Sequence, residues 1–413
     1  MRFCMITTFY PPYNFGGDGI FVQRLSHELA RRGHSVEVVH CIDSYRLLGG
    51  KSPAAAEDHP RVTRHGLRNR WGPLAPLVTH QTGRPLLNAS RLRKILARGF
   101  DVINYHNISL VGGPGILAYG DAVKLYTLHE YWLVCPMHVL FKNKREPCRQ
   151  RQCLRCTLTY RRPPQLWRYG GMLRKALGHV DCFIAATHFV QEQHERTGHA
   201  QRCVVLPHFA PRAEGALGGA AGGGDPGGDP RADANGGYFL FVGRLEKAKG
   251  LQTLLPIFLR RPDLRLVVVG SGSYEGTLRE MARGSANVRF MGPLPLAELR
   301  PLYRHAIALL VPSLWHEVFP LVILEAFSEG TPAVVRRVGS LPEEVGEGVR
   351  GETFTTPAEA EAAMDRLQGD RDHRAALSRA CLESAQREYS LDTYVDRYLE
   401  IISSVRRGKA GPA

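Results

Sequence analysis

Short apolar runs rich in β-branched residues alternate along this chain with stretches of helical periodicity, and that alternation limits the possible folds more than any other feature. Candidate strands fall at 3–8, 35–40, 101–105, 123–128, 182–186 and 204–206, and again at 238–242, 266–269, 288–291, 307–311 and 333–335. Several lack polar alternation, the pattern of parallel strands buried on both faces. Between the first two runs, Phe21, Val22, Leu25, Leu29 and Ala30 share one helical face, and Gly33 closes that helix. Strands alternating with helices imply βαβ units and parallel sheets, so the expected class is α/β.

Between the two sets of strands lies 213–237, with ten glycines, two prolines, one leucine and no aromatic residue. Such a segment buries too little apolar surface to offset its ordering entropy, and it is expected to be a flexible linker or disordered loop. The 413 residues are therefore expected to form two doubly wound, Rossmann-like domains, 1–212 and 238–390, with a ligand in the cleft between them. The tail, 391–413, reads as an amphipathic helix with Tyr394, Tyr398, Leu399 and Ile402 on its apolar side, fraying from 407. No apolar run reaches the ~20 residues of a membrane span. The first residues enter a strand-like run that ends at Pro11-Pro12, which does not read as a signal peptide, so the expected compartment is the cytoplasm.

Charge divides unevenly. Residues 1–212 carry 30 Lys+Arg against 13 Asp+Glu, and the rest carry 24 against 26, so the whole formal +15 comes from the first half. An anionic partner or a merely solvated basic surface both fit such an asymmetry.

Four motifs carry chemistry. Gly16-Gly17-Asp18-Gly19 precedes the first helix, where glycines admit a ligand close to the backbone and a helix start offers N–H groups to an anion. Gly243-Arg244-Leu245-Glu246-Lys247-Ala248-Lys249-Gly250 follows the strand at 238–242 and sets two cations, Arg244 and Lys249, at a strand's C-terminal end. Ligands bind at such ends in open parallel sheets, and two cations suit a departing diphosphate. Gly270-Ser271-Gly272 repeats the strand-to-glycine pattern. The fourth motif is Glu317-Val318-Phe319-Pro320-Leu321, continuing to Glu325. Glu317 is expected in a loop before a helix starting near Leu321, with Glu325 on the early turns of that helix, partly buried and able to accept from sugar hydroxyls.

In this order and spacing the four motifs resemble the retaining glycosyltransferases of family 4, which have the GT-B fold: two Rossmann-like domains facing a central cleft. The resemblance covers nearly the whole chain. It implies that the acceptor meets the N-terminal domain and the nucleotide sugar the C-terminal one, and that the last helix crosses back to the first domain. It implies that Arg244 and Lys249 hold the donor diphosphate, Glu317 the donor sugar, and Glu325 the ribose. Gly16, Gly17, Gly19, Gly270, Gly272, Phe319 and Leu321 are implied as further donor-binding positions. His129, at the end of the strand at 123–128, matches the family's active-site histidine. No Asp-x-Asp metal motif accompanies them, which suits a metal-independent transfer in which fixed cations absorb the charge. Pro320 stands where relatives often have glycine, and it removes one backbone N–H from the donor loop.

Cys135, Cys148, Cys153 and Cys156 form a cluster whose spacing suits a structural metal site, zinc before an iron–sulfur cluster, with reduced thiols as the alternative. The surrounding insertion, 135–175, is basic: 142–175 holds eleven Lys+Arg against Glu146 alone, interleaved with Leu, Trp and Tyr. That composition suits peripheral contact with an anionic membrane and a glycan or lipid-diphosphate acceptor, and no nucleic-acid fold signature accompanies it. The leading expectation is a transferase from a nucleotide-diphosphate sugar in cell-surface polysaccharide synthesis. The alternatives are a GT-B sugar-nucleotide epimerase and a non-catalytic, metal-pinned basic module binding membrane or nucleic acid.

Overall fold

The computed structural model describes residues 1–50, 57–200, 202–211 and 237–410; of the expected linker, 213–237, all but Gly237 lies outside the described residues. The chain forms two compact units, Met1–Pro207 joined by Tyr394–Ala413, and His208–Thr393. Both are mixed α/β with a parallel sheet.

In the first unit, strands β1 (Arg2–Ile6), β2 (Ser35–Cys41), β3 (Val62–Leu67), β4 (Val102–Tyr105) and β5 (Val123–Leu128) are followed by a short antiparallel hairpin, β6 (Phe141–Lys142) with β7 (Glu146–Pro147). Strands β8 (Cys182–Ala185) and β9 (Cys203–Val205) complete the main sheet, ordered β3-β2-β1-β4-β5-β8-β9. Strands β4, β5 and β8 are buried along their whole length, which explains their missing polar alternation.

In the second unit, β10 (Tyr238–Val242), β11 (Leu266–Val269), β12 (Val288–Gly292), β13 (Ala306–Val311), β14 (Ala333–Arg336) and β15 (Gly351–Phe354) form a six-stranded sheet ordered β12-β11-β10-β13-β14-β15. Its core gathers Phe239, Phe241, Leu266 and Val268 from the strands with Leu255, Phe258, Met364 and Leu367 from the covering helices. In each sheet the chain reverses direction across the sheet beside its first strand, at β1/β4 and at β10/β13. Ligands bind outside the carboxyl ends of strands at such a switch point.

Besides the short β6–β7 hairpin, two strands of the main sheets, β3 and β15, escape the sequence reading. Both are edge strands, where polar residues are tolerated and blunt further pairing. The terminal helix, Leu391–Ala410, is helical through 407–410, where fraying was expected. It packs in the first unit: Asn104 Nδ2 donates to the Tyr398 hydroxyl at 3.0 Å, and Tyr394 meets Phe21 edge-on with centroids 5.5 Å apart.

Candidate active site

The loop after β10 supplies the cations of the second unit. Gly243 N–H donates to Val269 O at 3.0 Å and Leu245 N–H to Ser271 O at 2.9 Å, so this loop runs along the glycine turn after β11. That fit requires bare glycines. A Cβ on Gly270, whose φ is +133°, would lie 1.9 Å from Gly243 O, and one on Gly272 would lie 2.4 Å from Leu245 O. Gly250, at φ +80°, passes Pro312 so closely that a Cβ would lie 1.9 Å from its carbonyl oxygen. Gly270 and Gly272 thus act through backbone-on-backbone packing, which is a reason for glycine that the ligand-approach reading did not contain.

This packing brings Lys249 to Glu317. Glu317 Oε1 accepts from Lys249 Nζ at 2.8 Å, from Ser313 Oγ at 2.7 Å and from Trp315 Nε1 at 2.6 Å. Burial alone would raise the Glu317 pKa, but the Lys249 charge and the three donors outweigh it and hold the carboxyl below its usual range. Lys249 Nζ and Arg244 Cζ lie 5.5 and 6.0 Å from the Trp315 ring centroid, so both cations border one indole. All of these residues follow β10 or β13, on either side of the switch point. The sequence pattern singled out Arg244, Lys249 and Glu317; it did not single out Ser313 or Trp315, although Trp315 stands two residues before Glu317.

Helix Leu321–Ser328 begins where expected, with Pro320 as its cap at φ −69° and ψ 110°. Leu321 opens the helix, and Glu325 sits on its second turn, half-buried, accepting from the Tyr303 hydroxyl at 3.1 Å. Tyr303 comes from helix Leu296–His305 and is fully buried, so no local sequence signal joins it to Glu325. The Phe319 ring is turned into packing with His208 and Tyr389, at centroid distances of 5.2 and 6.1 Å. A donor would therefore meet the backbone of Phe319 and not its ring.

In the first unit, helix Gly17–Arg31 starts inside the glycine motif, so Gly17, Asp18 and Gly19 form its first turn and only Gly16, at φ +83°, makes the preceding turn. A Cβ on Gly19 would lie 2.0 Å from Asn14 Oδ1 and 2.9 Å from Phe9 O. Asp18 Oδ1 accepts from Gly19 N–H at 3.0 Å, and Asp18 Oδ2 from Asn107 Nδ2 at 3.4 Å. Burial, then the nearby Glu130 charge, pushes the Asp18 pKa up to about 6. His129 follows β5; its Nε2 lies 2.9 Å from His106 Nδ1, and Phe21 meets its ring edge-on at 4.8 Å. Burial lowers the His129 pKa to about 3, so the imidazole is neutral near pH 7. His106 and Asn107 follow β4, so these groups gather at the β1/β4 switch point. Of His106, Asn107 and His129, the sequence reading named His129 alone.

Among the described residues no three His, Cys, Asp or Glu side chains form a group that could hold a metal ion. Cys148 Sγ is turned to Gln150 O at 3.7 Å, and Cys156 Sγ accepts from Asn143 N–H at 3.3 Å. Cys135 and Cys153 lie near enough to act on Cys148 through charge. Burial first, then the other three sulfurs, pushes its pKa up to about 11, and Cys153 is raised in the same way. The donor chemistry of four sulfurs suits zinc or an iron–sulfur cluster, either of which would bind them as thiolates.

Two Rossmann-like units, the second with its cations and carboxylate at a switch point, define a protein of the GT-B fold class. Solved structures agree at the level of fold. A sucrose-phosphate synthase from Thermosynechococcus elongatus superposes with a TM-score of 0.72 at 20% identity, covering 98% of this chain and 99% of that one. The Anabaena protein HepE in complex with UDP superposes with a TM-score of 0.64 at 17% identity, covering 98% of this chain and 100% of that one. Residues 15–212 match the family described as Glycosyltransferase Family 4, and residues 229–382 match Glycosyl transferases group 1. The chain belongs to the glycosyltransferases of the family 4 type. Among curated relatives, a D-inositol 3-phosphate glycosyltransferase of Corynebacterium kroppenstedtii is 34% identical over 163 residues, 36% of this chain and 36% of that protein. A sulfoquinovosyl transferase of Arabidopsis thaliana is 30% identical over 153 residues, 36% of this chain and 30% of that protein. The matched stretches thus span about a third of these relatives' length.

Proposed function

We propose that this chain transfers a sugar, with retention of anomeric configuration, from a nucleotide-diphosphate donor to a hydroxyl of a glycan or lipid-linked glycan acceptor in cell-surface polysaccharide synthesis. The observation that carries the reading is the Arg244–Lys249–Trp315–Glu317 group beside the β10/β13 switch point. The curated relatives named above are glycosyl and sulfoquinovosyl transferases, and HepE is a protein captured with UDP and with UDP-glucose.

In this reading Arg244 and Lys249 take the negative charge that grows on the diphosphate as the glycosidic bond breaks. Glu317 sets the Lys249 ammonium through its 2.8 Å contact and is the group offered to the donor sugar's hydroxyls. Glu325, oriented by Tyr303, accepts from ribose hydroxyls. The acceptor hydroxyl attacks from the face that the diphosphate leaves, and its proton passes to the departing phosphate. Pro320 removes one backbone donor, so the free N–H groups of Leu321 and Val322 at the helix start are left to meet the donor. Neutral His129 acts as a hydrogen-bond partner near the transferred sugar and carries no charge into the step. The protein works in the cytoplasm, on the inner face of an anionic membrane where a lipid-diphosphate acceptor resides. The cysteine loop has no part in the chemistry.

A screen of UDP-, GDP-, ADP- and TDP-sugars for donor hydrolysis and transfer tests the reading. One nucleotide sugar should be turned over, and Lys249→Ala or Arg244→Ala should each lower kcat about 10²-fold or more. Unchanged turnover in both variants would remove these residues from the site, and product with inverted configuration would remove the retaining mechanism. Epimerised donor with no transfer would favour the epimerase.

A further inference from the structure

Two stretches of the first unit contain no acidic residue: 59–100, with nine Lys+Arg, and 147–180, with eight. They are far apart in sequence, and the fold joins them. Trp167 Nε1 donates to His80 O at 3.0 Å, and the Trp167 ring and Met172 close over Gly83, at 3.0 and 3.1 Å from where its Cβ would stand. Helix Leu74–Thr82 thereby packs against the turn Leu166–Tyr169 and against the turn Leu86–Asn88.

The side chains left outside are unusual for a solvated surface. Of the fourteen exposed large apolar side chains among the described residues, nine lie in 71–87 and 154–169, and seven of those nine are leucines. Leu166 is 70% exposed, Tyr169 65%, Leu86 54% and Leu74 52%. Leu74 and Leu77 stand three apart on one helix, and Leu154 and Leu158 stand four apart on helix Cys153–Thr159, so each pair shares a face. Exposed arginines accompany them: Arg84, Arg161, Arg162 and Arg174, and Arg70 lies 5.1 Å from the Trp71 ring centroid. Clustered exposed apolar groups mark an interaction surface, and the charge decides its partner. An acid-free basic surface repels cationic partners and attracts anionic ones. Nucleic acid uses aromatic rings for stacking and has no use for seven leucines. An anionic bilayer uses both components, headgroups meeting the cations while leucine, tryptophan and tyrosine enter the acyl boundary.

We propose that the adjoining surfaces of 68–87 and 154–175 are the face by which this protein lies on an anionic lipid bilayer. The surface deepens the membrane contact of the proposed function and depends on that reading only for the acceptor. It also extends the contact beyond the cysteine insertion, to a helix that the sequence pattern did not connect with it.

The test is sedimentation of the full chain with vesicles of phosphatidylcholine alone and of phosphatidylcholine with phosphatidylglycerol. Binding to the anionic vesicles should be about tenfold tighter or more, and should weaken with salt. The triple variant Leu74→Ser, Leu166→Ser, Tyr169→Ser should lose that binding while keeping its melting temperature, because all three side chains are exposed. A charge variant, Arg161→Glu with Arg162→Glu and Arg174→Glu, should lose the preference for anionic lipid. Equal binding to both vesicle types, full binding by the triple variant, or equally tight binding to duplex DNA that survives the triple substitution would each overturn the proposal. Donor hydrolysis by the triple variant reads the transferase chemistry separately: if it persists while vesicle binding is absent in the parent chain, the surface has failed and the transferase reading stands.

Discussion

Glu317 shows how a buried carboxylate can be kept charged by its surroundings. Three donors converge on its Oε1, and the Lys249 charge more than offsets the cost of burial. Because its folded-state pKa is depressed, its contribution to stability is present above the unfolded value of 4.5 and is lost as pH falls through the folded one. Glu317→Gln keeps the shape but leaves Lys249 without its counter-charge. That variant should unfold about 2 kcal/mol more easily at neutral pH, and the difference from the parent should shrink on acidification. Denaturant titration at several pH values measures this, and a pH-independent difference would mean that the ion pair is not the cause. His129 carries the opposite sign of charge, yet its depressed pKa also makes stability rise with pH. Burial lowers it from 6.5 to about 3, so between those values the unfolded chain binds a proton that the folded one refuses. Stability therefore rises with pH across that window, and His129→Gln should flatten the rise. An unaltered slope would show that the imidazole titrates normally in the folded protein.

At the scale of elements, the glycine motifs were legible but their purpose was only half so. The sequence places glycines at strand ends; what it cannot show is that Gly270 lies against Gly243 and Gly272 against Leu245, since both contacts depend on how two loops stack. Gly270→Ala should be costly on two counts, a φ of +133° and a Cβ 1.9 Å from a carbonyl oxygen, and the second unit should lose about 2–4 kcal/mol. Thermal denaturation checks it; a variant that melts within a degree or so of the parent would show that the loops move apart freely. The missed strands have a related cause. β3 reads Val-Thr-Arg-His-Gly-Leu, apolar only at its ends, and its polar middle is satisfied by a neighbour, with His65 Nε2 2.6 Å from Glu37 Oε2. β15 carries Glu352, paired with Arg366 at 2.8 Å and with His373 at 2.9 Å. Edge strands of this kind are recognisable by their partners, which lie outside any local window. The cysteine loop is legible in another way: spacing names four sulfurs, while their placement depends on backbone turns at His138, Leu140, Asn143 and Lys144, all at positive φ, that no spacing rule anticipates.

For the whole molecule, the alternation of strands and helices was enough to give both doubly wound units and their order, because each unit's topology repeats a local βαβ step. The exception is the last helix. Its amphipathic pattern says that one side must be covered, and nothing in the pattern itself says by which unit; that came from resemblance. Tyr394, Val395, Tyr398 and Ile402 are buried in the first unit, although nearly the whole second unit separates them from it in sequence. Arg406 Nη2 to Asp101 at 2.8 Å and Lys409 Nζ to Asp181 at 2.6 Å extend the attachment along the sheet. Burying four such side chains contributes roughly 6–12 kcal/mol by apolar area, before the entropy of ordering the helix is subtracted. A domain's net stability is only about 5–15 kcal/mol, so the first unit cannot afford the loss. A chain ending at residue 393 should therefore keep the second unit's cooperative unfolding and lose the first unit's. Limited proteolysis would then degrade 1–207 ahead of 237–393, and near-ultraviolet circular dichroism would fall accordingly. Should the shortened chain instead show both units protected, the helix would be an accessory to the first unit and its buried tyrosines would have to be replaced by packing from elsewhere in the sheet.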